Sequence, residues 1–124
     1  QSKRWSMASK NLKVRPINEA DIRAFYNKPF VQSLRGLTVE SENEPVLIAF
    51  VVNTSPPQAV SWMKDELRKH PKMILKAAKE FIKIMEKYPC DIYAVADEEE
   101  KNSECFLKRI GFTHLIERLY VWLN

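Results

Sequence analysis

Apolar and polar positions alternate along the chain in a pattern that divides it into short strands and three helices. Residues 12–15 alternate and are stopped by Pro16. Asn18 then predicts an N-cap for a helix over Glu19–Tyr26, with Glu19 and Asp21 placed well for its N-terminal dipole and Pro29 ending it. Residues 31–40 are rich in β-favouring side chains, and Gly36 inside them predicts a bulge or a close packing contact. Residues 41–44 are polar and turn-like, and residues 44–53 carry the strongest strand signal, so the pair reads as a hairpin. The seven-residue apolar run at 46–52 has the form of a buried strand.

After a loop containing Pro56 and Pro57, Gln58–Met63 reads as a further strand and residues 64–70 as a charged, irregular link. The clearest helix covers residues 71–88, with Pro71 suited to its first position. At about 100° per residue, Lys72, Lys76, Lys79, Lys83 and Lys87 share one arc, and Ile74, Leu75, Ala78, Phe81, Ile82 and Met85 form the opposite, sheet-facing side. Pro89 ends this helix, residues 92–96 form a short strand and residues 97–100 an acidic loop. Residues 102–110 read as a helix closed by Gly111, followed by strands at 112–114 and 118–123. The order β-α-β-β-β-α-β-α-β-β predicts one α/β domain, a mixed central sheet with helices on both faces.

Composition narrows the picture only modestly. The 124 residues fit one domain, and the formal charge of +4 permits an anionic partner without requiring one. Met7-Ala8-Ser9 reads as a natural start, so residues 1–6 are expected to be a leading remnant and 7–124 the domain; without Lys3 and Arg4 the charge is +2. No apolar run approaches the ~18–20 residues of a membrane span, and no apolar leader is evident. Cys90 and Cys105 have neither metal spacing nor a disulfide framework and read as reduced thiols of a cytoplasmic protein.

Two stretches bear a family resemblance. Tyr93-Ala94-Val95-Ala96-Asp97, a polar loop, and then Phe106-Leu107-Lys108-Arg109-Ile110-Gly111-Phe112 resemble the C-terminal signature of the GCN5-related N-acetyltransferase (GNAT) superfamily. Lys13-Val14-Arg15-Pro16 followed by residues 17–22 resembles its first strand and helix. Within the superfamily the chain is most similar to small acetyltransferase-like proteins of tailed bacteriophages and prophages. That likeness rests on Phe25-Tyr26 with Pro29, Leu34-Arg35-Gly36, residues 63–70 and Tyr93-Ala94-Val95-Ala96-Asp97. The resemblance implies a GNAT-like mixed sheet and acetyl-CoA as cofactor. It further implies, as acceptor, an amine of a small molecule or host protein, in the cytoplasm of a host cell. Some relatives are virion proteins, so a virion or host protein partner and a homodimer belong to the same expectation.

The family holds the cofactor's diphosphate on a loop of the form Gln/Arg-x-x-Gly-x-Gly/Ala at a helix N-terminus, where backbone N–H groups and the helix dipole favour anions. The matching stretch here is Arg68-Lys69-His70-Pro71-Lys72-Met73. Arg68 fits; Pro71 removes a donor and Met73 replaces a small residue. Two readings stay open. Either Arg68, Lys69, His70 and Lys72 supply charge in place of backbone contacts, or the site has decayed and the fold serves as a virion component or host-protein binder. Trp62, Met63, Asn102 and Phe106 complete the expected cofactor-binding set, with the thioester carbonyl polarised by N–H groups of the Trp62–Met63 stretch.

Acetyl transfer also needs a base, and the family uses a tyrosine acid four residues before the terminal glycine; Leu107 stands there. Substitutes are Ser61, which would carry a water or hydroxyl near the thioester, and His70, which titrates near neutrality. Tyr93, Tyr120, Glu40 and Glu66 are weaker candidates, their default roles being packing and surface charge. Nucleic-acid binding is disfavoured. Residues 64–87 carry a net +4 and residues 97–104 a net −4, and no aromatic platform accompanies the lysines. His70 and His114 lack ligand-spaced neighbours, so no metal is expected, and no phosphate loop of the Walker type occurs.

Overall fold

The computed structural model of the chain describes residues 12–26, 33–96 and 101–124. Seven strands form one mixed sheet: β1 (Lys13–Pro16), β2 (Leu34–Ser41), β3 (Glu44–Val52), β4 (Gln58–Met63), β5 (Ile92–Val95), β6 (Thr113–Ile116) and β7 (Leu119–Trp122). The helices are α1 (Glu19–Tyr26), α2 (Pro71–Met85) and α3 (Lys101–Ile110). Spatial order is β1-β2-β3-β4-β5-β7-β6. Every neighbouring pair is antiparallel except β4 and β5, which are joined through α2. A parallel pair requires such a crossover, because a tight turn cannot reverse the chain twice.

The apolar run of residues 46–52 is buried throughout because β3 has a layer on each side. From Leu47 onward its alternate residues sort by face, while Val46, at the register shift, joins the main core beside Leu47. Leu47, Ala49 and Val51 join the larger core with Ile74, Ala78 and Phe81 of α2 and Leu107 and Ile110 of α3. Ile48, Phe50 and Val52 face the other way, onto Ile22 and Phe25 of α1. Helices therefore cover both faces, two on one side and one on the other. No helix among the described residues is long and apolar enough to cross a membrane.

The turns follow local chemistry. The β2–β3 hairpin closes through Glu42 and Asn43, both at positive φ (51° and 68°), the handedness that matches strand twist. Gly111, at φ 110°, ends α3: its amide bonds to the Lys108 carbonyl and that of Phe112 to the Leu107 carbonyl, a Schellman motif.

Several boundaries differ from the pattern-based expectation. Residues 65–69 wind into a 3₁₀ helix (Asp65–Lys69) instead of an irregular link, anchored by the fully buried Leu67. α2 stops at Met85, short of Lys87, and all five lysines of the stripe are exposed. Leu75 is 45% exposed, and Ala77 takes its place in the core. The reason is angular: about 100° per residue puts Leu75 at the margin of the face centred on Ile74 and Met85. The strand bulge falls between Val39 and Glu40, not at Gly36. Gly36 instead marks a close approach, since a Cβ there would lie 2.4 Å from the Ala49 carbonyl oxygen. The expected remnant 1–6, the start of β2 at 31–32, Pro29 and the acidic loop 97–100 lie outside the described residues.

Candidate functional site

The single parallel junction of the sheet is also its weakest. β4 and β5 pair only at Gln58↔Tyr93 and Ala59↔Ala94. Beyond Ala59, β4 continues to Met63 bonded to β3, while β5 is held by β7 through Val95↔Leu119 and the bond from the Ala96 amide to the Arg118 carbonyl at 2.8 Å. The two strands part at their carboxyl ends, where open α/β sheets place their ligands. Between them lies a cavity of about 150 Å³ lined by residues 58–62, Ala94, Val95 and Leu107.

Ladder parity fixes which backbone groups face this gap. The Lys64 amide donates to the Val46 carbonyl at 2.9 Å, and the register pairs Trp62 with Ile48 and Val60 with Phe50. Antiparallel pairing alternates, so the amides of Val60, Trp62 and Lys64 point to β3 and those of Ala59, Ser61 and Met63 point to β5. The Ser61 and Met63 amides therefore face the gap where β5 has departed. Sequence reading placed the donors on Trp62 and Met63; the pairing moves the first of them back by one residue.

Side chains add little charge here. Ser61 brings the one hydroxyl, and no side chain lining the gap titrates near neutrality. Trp62 lines the gap on the α1 face, where its ring packs against Tyr26 at a centroid distance of 5.4 Å. Ala59 and Ala94 are opposite each other at the last registered pair, and small side chains at that point keep the cavity open. Among these lining residues only Ser61 and Trp62 stood out beforehand as site residues, with Leu107 noted for the acid it replaces. The mutual placement of Gln58, Ala59, Ala94 and Val95 depends on a crossover that no local pattern announces.

The chain leaves β4 through Lys64, winds through Asp65–Lys69 and enters α2 at Pro71, so the N-terminus of α2 follows the mouth of the gap closely. His70 is the N-cap residue, half-buried, and its carbonyl accepts from the Met73 and Ile74 amides at 3.0 and 3.2 Å. Pro71 has no N–H to offer. The Lys72 amide, at the second helical position, has no intrahelical acceptor and faces outward with the helix dipole. Arg68, Lys69, Pro71 and Lys72 are exposed. Met73 and Met63 turn inward and pack on the main core. Phe106 is buried in that core, one residue before Leu107. Asn102 falls on α3, and its side chain lies outside the described residues.

The remaining polar candidates are engaged elsewhere. His70 does not line the gap, so Ser61 and His70 are not brought together there. Glu40 is bound by the Arg15 guanidinium, and Glu66 is exposed. Tyr120 is buried with its ring against His114 at 5.1 Å. Its hydroxyl donates to Glu104, and together with Lys108, 3.2 Å away, it holds that carboxyl below its usual range. Tyr93 is half-buried on the α1 side of β5. No group of three or more metal-binding side chains forms among the described residues. No protein-family model matches the chain, and no curated protein is significantly similar to it.

Proposed function

We propose that this chain is an acetyl-CoA-dependent N-acetyltransferase-like protein of GNAT type, phage-encoded, with an altered diphosphate loop. One observation carries the reading: β4 and β5 part after two registered pairs and leave the Ser61 amide facing a narrow cavity, with the Met63 amide on the same open edge of β4 beyond it. A cavity of about 150 Å³ suits a slender thioester arm, not a whole nucleotide. The bulky end of the cofactor then rests outside, at the N-terminus of α2. There the Lys72 amide and the side chains of Arg68, Lys69 and Lys72 meet the diphosphate, with charge offsetting the donor lost at Pro71.

Bound acetyl-CoA supplies the acyl group, which passes to an amine as the C–N bond forms and the C–S bond breaks. The amides of Ser61 and Met63 are fixed before the reaction and donate to the carbonyl oxygen as it gains negative charge. Ser61 positions a water that takes the proton lost by the amine. No side chain of the gap protonates the departing thiolate; solvent does so, at a cost in rate.

Those same features favour a second reading, a GNAT-fold protein without catalysis that acts as a virion component or host-protein binder. Calorimetric titration with acetyl-CoA at millimolar excess tests the first reading. Ligand present only at its dissociation constant stabilises by just ~0.4 kcal/mol, so thermal shifts also need saturation. Saturable binding, weakened by Arg68→Ala with Lys69→Ala, supports the proposal. A flat titration of the folded protein removes it. Binding without acetylation of any of a panel of primary amines selects the second reading.

A further inference from the structure

At the opposite end of the sheet β2 outruns β1. β1 stops at Pro16, across from Leu37, and beyond it the Ile17 amide donates to the Gly36 carbonyl at 3.1 Å. That bond sets the parity: the backbone groups of Leu34 and Gly36 face outward, and those of Arg35 face β3, where the Asn53 amide to Ser33 carbonyl bond continues the same ladder. The Gly36 amide and the amide and carbonyl of Leu34 therefore sit on an edge that no described strand covers. This edge borders a groove of about 320 Å³ lined by residues 16–17, residues 34–36, Ile84 and Lys87.

The lining has a definite chemistry. Ile17, Leu34 and Ile84 are half-buried and form apolar walls. Arg35 and Lys87 are exposed at its sides, and among the described residues neither makes an ion pair and no carboxylate lines the groove. The end of α2 accounts for part of this charge, since helix C-termini attract cations, but it offers only roughly half a negative charge against two full positive ones. The nearby Tyr88 hydroxyl donates to Asn53 Oδ1 and is held neutral by burial, so it offers no counter-charge.

We propose that this groove binds a small monocarboxylic acid with an aliphatic or aromatic body. The carboxylate lies between Arg35 and Lys87, within reach of the Gly36 amide, and the body lies against Ile17, Leu34 and Ile84. The volume is at the lower end of the ~300–1,000 Å³ typical of small-molecule sites, which selects a compact acid. The groove is independent of the β4–β5 gap, which lies on the far side of β3.

The test is a titration of the whole ¹⁵N-labelled chain with 4-phenylbutyrate, with 4-phenylbutyramide and inorganic phosphate as controls. Saturable shifts centred on Ile17, Gly36, Ile84 and Lys87 are expected. The neutral amide and phosphate should each bind at least about ten-fold more weakly, the one for want of charge and the other for want of an apolar body. Arg35→Gln with Lys87→Gln, both at exposed positions, should weaken the acid by about ten-fold or more while leaving the spectrum otherwise folded. Lys87→Gln alone gives the same direction if the pair disturbs folding. Absence of saturation, shifts centred elsewhere, equal binding of the amide or of phosphate, or unchanged affinity in the variants overturns the proposal.

Discussion

Arg15 grips Asp21 through two parallel hydrogen bonds, Nη1 to Oδ2 and Nη2 to Oδ1, each 2.7 Å long. The same carboxylate accepts from the Thr38 hydroxyl at 2.8 Å and the Asn18 amide at 2.9 Å. The Asp21 amide in turn donates to Asn18 Oδ1 at 3.0 Å, so the helix cap is reciprocal. One buried carboxylate thus joins β1, the start of α1 and β2.

Removing that charge should be costly. Asp21→Asn leaves Arg15 facing Glu40 alone and replaces an acceptor by a donor beside the Asn18 amide. Breaking a buried pair in this way costs ~3–5 kcal/mol. Arg15 keeps 29% side-chain exposure, so the expected loss is toward the lower end, measured as a fall in the urea midpoint. A loss below about 0.5 kcal/mol, the level of an ordinary surface site, would show the pair to be incidental.

The pH dependence follows from the same contacts. Burial raises the Asp21 carboxyl, but the bonds from Arg15, Asn18 and Thr38 outweigh it and hold the group below its ordinary value of 3.8. A depressed folded-state value means the contribution is present above the unfolded value and is lost as pH falls through the folded one. Wild type should therefore lead Asp21→Asn by a constant margin at neutral pH, and the margin should close below about 3.8. Urea midpoints measured across an acid series would show whether it does.

Gly36 stands at a close approach of β2 to β3. A methyl group there would meet the Ala49 carbonyl oxygen and the Phe50 Cβ, both at 2.4 Å. Backbone cannot yield as a flexible side chain would, so Gly36→Ala should destabilise by about 1–3 kcal/mol. Thermal unfolding is a sufficient measure, and an unchanged midpoint would contradict the close approach.

Filling the gap from β5 separates binding from folding. Ala94→Val adds bulk at the last registered pair with Ala59, on the wall of the cavity. The folded state should persist at a cost of about 1 kcal/mol, and acetyl-CoA affinity should fall about ten-fold. Unchanged affinity alongside an intact fold would place the acyl arm somewhere other than between β4 and β5.

What the amino-acid sequence determined by itself is the set of elements. The Asn18 cap marked Glu19–Tyr26, Pro71 marked the start of α2, and Gln58–Met63 was readable as a strand. Gly111 announced the end of α3, because few other residues accept its positive φ. These are local matters, fixed by side-chain period and backbone sterics within a few residues. Candidate residues were legible to the same extent: Ser61 and Trp62 lie on a recognisable strand that does line the gap. The tertiary structure alone decided that β4 and β5 meet for two residues and then part, which turns the Ser61 and Met63 amides, not that of Trp62, toward the opening. It also decided that Asp21 is a buried anchor for Arg15 and not merely a dipole partner. Both outcomes depend on strands brought together across long stretches of chain, where register and packing, not local propensity, set which groups meet.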